Sequence, residues 1–201
     1  MKPQEIDILL ETLDTTLNSN SFWITLDLTE NEEQVETEII QHLRTGSFHF
    51  ELVKEDLRRE FNDYSEIIFP KASNTPIVLQ KPGNLWNGVE QLTIDEIGKS
   101  LARDMLIDLL TGKQDFFSAS TLGTQINTNK ANELIANLFE ILDEKGDWKA
   151  YNIEPDFLYQ VESYNNTNPH LPGYFENDGR DLALAIKYDA EVHILLTCGY
   201  S

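Results

Sequence analysis

A single cysteine, Cys198, stands among 201 residues, so no disulfide can form within the chain, and a reducing, cytoplasmic setting is the expectation. Basic residues are scarce: fifteen Lys and Arg face thirty-five Asp and Glu, a net charge of −20. Affinity for phosphate backbones and anionic lipid comes from Lys and Arg, so this balance disfavours nucleic acid and membrane surfaces as partners. No apolar run approaches the ~20 residues needed to span a bilayer. Met1-Lys2-Pro3-Gln4-Glu5 leads into an amphipathic pattern without the apolar block of a signal peptide.

Signature motifs are missing too. There is no Gly-x-Gly-x-x-Gly, no Gly-x-Ser-x-Gly and no His-Glu-x-x-His. Thr111-Gly112-Lys113 lacks the rest of a phosphate-binding loop and reads as a helix end. One cysteine excludes a Cys-rich zinc site. No cofactor, no metal and no catalytic residue is therefore assigned, and the balance leans away from an enzyme.

What is present is a globular composition, 40% hydrophobic and 25% charged, with ten Phe, seven Tyr and three Trp for a core. Residues 1–201 are read as one domain, since domains commonly run to about 100–200 residues. Ile6, Leu9, Leu10, Leu13 and Leu17 fall on one helical face over 3–17. Phe22, Ile24, Leu26 and Leu28 alternate as a strand. Thr29-x-x-Glu32 forms a capping box for a helix with Val35, Ile39 and Leu43 inward, ended by Gly46. Phe48 and Phe50 alternate with His49 and Glu51 as a second strand, followed by a short charged helix over 54–63. Ile67-Ile68-Phe69 and Ile77-Val78-Leu79 read as short strands, and Lys81-Pro82-Gly83-Asn84 as a turn.

Thr93-x-x-Glu96 reads as a second capping box, opening a helix whose stripe is Ile94, Ile97, Leu101, Met105 and Leu109 and whose cap is Gly112. Thr128 caps a further helix that stops at Gly146. Tyr159 and Val161 suggest a strand. The alternation over 182–188 and 192–198, separated by Asp189-Ala190, predicts a β-hairpin central to a sheet. Helices and strands mix without a regular βαβ beat. The fold class expected is α+β, a mixed or mostly antiparallel sheet packed with several amphipathic helices and ending in that hairpin.

The negative charge is uneven. Residues 1–53 carry eleven acids against two bases, and residues 140–201 twelve against four. Opposite fields steer association, so a basic protein is the partner class expected. The first functional reading is a protein-binding or inhibitory module, comparable to immunity proteins by charge and not by motif. Its surface would hold Glu30, Glu32, Glu33, Glu36 and Glu38, with Trp23 as an apolar anchor. The second is a small-molecule-binding protein or hydrolase-type enzyme. Its site would lie in the polar 163–181 segment, with His170, Glu176, Asp178 and Asp181. That segment fails the EF-hand spacing. The third is a homo-oligomer of structural or regulatory role, a dimer through the apolar C-terminal hairpin. His193 and Cys198 are five apart on the last strand, so alternation sends them to opposite faces and they form no nucleophile pair.

Overall fold

The computed structural model describes residues 4–18, 20–28, 35–61, 93–117, 123–154, 181–188 and 191–197. Among the described residues, five strands form one antiparallel sheet: β1 (Phe22–Asp27), β2 (Thr93–Ile97), β3 (Lys149–Glu154), β4 (Leu182–Lys187) and β5 (Glu191–Thr197), in the order β1-β5-β4-β3-β2. The hairpin read from the C-terminal alternation is present, with Leu184 opposite Leu195 and Lys187 opposite Val192. It sits at the middle of the sheet, which is why both of its faces are apolar. Leu182, Leu184, Ile186 and Leu195 face one way, and Ala183, Ala185, Val192, Ile194 and Leu196 the other.

Each sheet face buries against helices, giving an α+β architecture of three layers. On one side lie α1 (Gln4–Leu17), α4 (Lys99–Thr111) and α5 (Thr128–Lys145), contributing Leu9, Leu10, Leu13, Leu106, Leu109, Leu110, Ile135 and Leu138. On the other lie α2 (Val35–Arg44) and α3 (Ser47–Arg58), contributing Val35, Ile39, Leu43, Phe48 and Leu52. Gly46, at φ 73°, turns α2 into α3 in the left-handed conformation that glycine adopts without a Cβ penalty. Gly123 matters for a different reason. A Cβ there would strike the carbonyl groups of Thr15 and Thr16, because the chain at Thr124 closes the C-terminus of α1.

Several elements differ from their sequence reading. Phe48 and Phe50 lie in α3 and not in a strand. Two alternating aromatics are compatible with either period, and the helical pair Phe48 and Leu52, four apart, is what buries. Thr93–Glu96 is no capping box: these residues form β2, and the helix begins at Lys99 after Gly98 in an extended conformation. The buried stripe of α4 is accordingly rotated to Ala102, Leu106, Leu109 and Leu110, leaving Leu101 exposed. Asn127, one residue before Thr128, caps α5 by accepting the Lys130 N–H at 3.0 Å. Strand β3 was not anticipated. The strands read at 67–69, 77–79 and around Tyr159, the turn at 81–84, and the capping box at Thr29 lie outside the described residues.

Candidate functional site

Of the acids proposed from the sequence, Glu36, Glu38 and Asp181 fall among the described residues. Glu36 is exposed on α2, but Glu38 is buried beside His42, whose Nε2 lies 4.0 Å from its carboxylate. Trp23 is buried on the sheet face under α1, α4 and α5, opposite the face that carries α2. It cannot anchor a partner beside the α2 carboxylates, because the sheet stands between them. Glu30, Glu32 and Glu33 lie outside the described residues, as do His170, Glu176 and Asp178. Asp181 is buried at the threshold of β4. His193 is buried on β5, with its Nδ1 3.0 Å from the Thr25 hydroxyl and its ring between those of Trp23 and Tyr188. Cys198 lies outside the described residues. Among the described residues no three His, Cys, Asp or Glu are grouped to hold a metal ion.

A different set of carboxylates does come together. The end of β2, the start of α4, the end of α5 and the start of β3 meet at one corner. Lys99 is at its centre: its Nζ donates to Asp143 at 3.0 Å, approaches Asp147 at 3.9 Å and lies over the Trp148 ring at 4.2 Å. The Trp148 indole N–H donates to the same Asp143 carboxylate at 2.7 Å. One strand over, Lys149 donates to Glu96 at 2.9 Å, which raises the lysine's pKa. Asp95, Glu96, Asp143, Glu144 and Asp147 are all exposed here.

Helix stability explains the acids of α2 but not those of α5. Glu36 and Glu38 occupy the first turn of α2, where the helix dipole favours negative charge. Asp143 and Glu144 occupy the last turn of α5, where the carbonyl end opposes it, at a cost of about 0.5 kcal/mol each. Asp143 recovers that cost through Lys99 and Trp148. Asp147, just beyond the helix, is nearly fully exposed at 97% and its contact with Lys99 is long.

The Lys99 and Trp148 hydrogen bonds hold the Asp143 carboxyl below the usual carboxylate range. A depressed acid contributes stability that is present above its unfolded pKa and lost as pH falls through its folded value. Wild type should therefore melt above Asp143→Asn at pH 7, and the gap in Tm should begin to shrink as pH falls below the ordinary aspartate value of about 3.9 and vanish below the depressed folded value. A gap independent of pH would contradict the assignment.

The sequence signal for this corner was available but ambiguous. Thr93 and Ile94 are β-branched, and Gly98 interrupts the helical pattern ahead of Lys99. Read as the first turn of a helix, Asp95 and Glu96 had a local explanation that the strand removes. No family model matches the chain, and it matches neither a curated protein nor a solved structure.

Proposed function

We propose that the chain is a protein-binding module that engages a cationic protein partner through the carboxylates of this corner. The observation that carries the reading is the exposure of Asp95, Glu96, Glu144 and Asp147 around two lysines, Lys99 and Lys149, that are already ion-paired. A surface whose cations are engaged internally presents its remaining carboxylates outward. Such a surface suits a groove built for phosphate, so inhibition of a basic, nucleic-acid-directed partner is the mode of action that fits it. The net charge of −20 extends the attraction beyond contact and favours fast encounter.

Salt decides the matter. Screening shortens the reach of exposed charges to about 10 Å at 0.1 M salt and about 3 Å at 1 M. Immobilised chain should retain a basic protein from source-cell extract at low salt and release it at high salt, and the purified partner should rebind with the same dependence. Retention of no basic protein at low salt would contradict the reading. Co-purification of a stoichiometric metabolite would favour a small-ligand function instead.

A further inference from the structure

We infer that the edge of β2 left unpaired among the described residues is the docking line for an extended, Lys- or Arg-bearing segment of the partner, which adds to the sheet as a further strand. The inference rests on the cationic-partner reading and names the element that would carry it. Among the described residues β2 pairs on one side only, with β3, as the last strand of the sheet. Thr93, Asp95 and Glu96 are exposed, and Ile94 and Ile97 are half-buried, whereas β4 and β5 are almost wholly buried.

At the opposite edge β1 is the last strand. There α3 packs against β1, and ion pairs from Arg58 to Asp7 and from Arg59 to Asp14 tie α3 to α1 beside it. Main-chain hydrogen bonding to a sheet edge supplies affinity, and alternate side chains supply selectivity.

Charge selects the occupant. Sheet edges are commonly guarded by lysine, which repels other cationic chains. Here the guards are Asp95 and Glu96 on β2, with Glu154 opposite Thr93 on β3. A second copy would set β2 against β2 with like charges facing and −20 on each chain, so self-pairing is disfavoured. An extended segment with cationic side chains meets the carboxylates on both faces of the strand.

The test uses a fluorescently labelled short peptide alternating Lys and Val, and a second of the same sequence with every backbone nitrogen methylated, of equal charge and without main-chain donors. At low salt the unmethylated Lys–Val peptide should bind at least about tenfold more tightly, the worth of one or two main-chain hydrogen bonds. Successive residues of a strand direct their N–H groups to opposite sides. One of Asp95→Pro and Glu96→Pro therefore removes an outward donor and spares the β2–β3 ladder. That variant should keep the wild-type Tm and lose about tenfold in Lys–Val affinity.

Equal binding of the two peptides would overturn the edge inference and leave the cationic-partner reading standing. So would unchanged affinity in the variant that keeps its Tm, or a β2-dependent dimer in sedimentation. Should both proline variants unfold, amide exchange decides: bound Lys–Val peptide should protect β2 amides, and no added protection would overturn the inference. Failure to retain any basic partner from extract is the separate result that removes the reading beneath it.

Discussion

Leu195→Ala should lower the unfolding free energy by about 2–5 kcal/mol. Leu195 is fully buried on β5, opposite Trp23 on β1 and Leu184 on β4, and it packs under α1, α4 and α5. Truncation removes its transfer free energy and leaves a cavity that the central strands, paired on both sides, cannot close. In urea the midpoint should fall with the slope unchanged, the mark of lost stability without a change in the surface exposed on unfolding. Leu101→Ala on α4 is the control. Leu101 is 39% exposed, so its loss should stay within about 0.5 kcal/mol. Equal effects at the two positions would contradict the layered core.

Asp108→Ala should cost about 2–4 kcal/mol, although an aspartate inside a helix invites the expectation of a solvated position. Asp108 is 2% exposed near the end of α4, and its carboxylate accepts the backbone N–H groups of Asp115, Phe116 and Phe117 at 3.2, 3.0 and 3.3 Å. Its own carbonyl accepts the N–H of Gly112, whose φ of 66° ends the helix. One side chain thus organises the whole exit from α4 and seats Phe117 in the core. Alanine leaves three donors without that acceptor. Asparagine keeps one acceptor oxygen and should lose about half as much. Asp104→Ala, on the exposed side of the same helix, should change stability by less than about 0.5 kcal/mol. Chemical denaturation of the three variants together tests the role, and an Asp108→Ala loss no larger than that of Asp104→Ala would refute it.

The sequence made the elements legible where a pattern ran long enough to choose a period. The α1 stripe from Ile6 to Leu17 spans several turns, and the paired alternations at 182–188 and 192–197 admit only strands that pair with each other. Short patterns failed. Phe48 and Phe50 satisfied a strand, but the packing of Phe48 and Leu52 against the sheet settled a helix. Thr93-Ile94-Asp95-Glu96 satisfied a capping box locally. Pairing with β3, more than fifty residues later, overrides it, and no local pattern reports so distant a partner.

The candidate site was illegible for the same reason. Glu36 and Glu38 look alike along the chain, yet one is exposed and the other buried. Glu96 and Lys149, or Lys99 and Asp143, meet only once the sheet and helices are assembled. The charge surplus toward the C-terminal end was visible, but the corner that Asp143, Glu144 and Asp147 share with Asp95 and Glu96 exists only in three dimensions.

Calorimetric titration of the salt-eluted basic protein into two triply neutralised variants would weigh the corner against the rest of the acidic surface. One variant carries Asp95→Asn, Glu144→Gln and Asp147→Asn. The other carries Glu5→Gln, Glu11→Gln and Glu60→Gln, toward the β1 side of the molecule. Docking at the corner requires the first to bind at least about tenfold more weakly than wild type, with a shallower dependence on salt, and the second to stay within about threefold. Equal losses in the two would show that bulk charge, and not this corner, makes the contact.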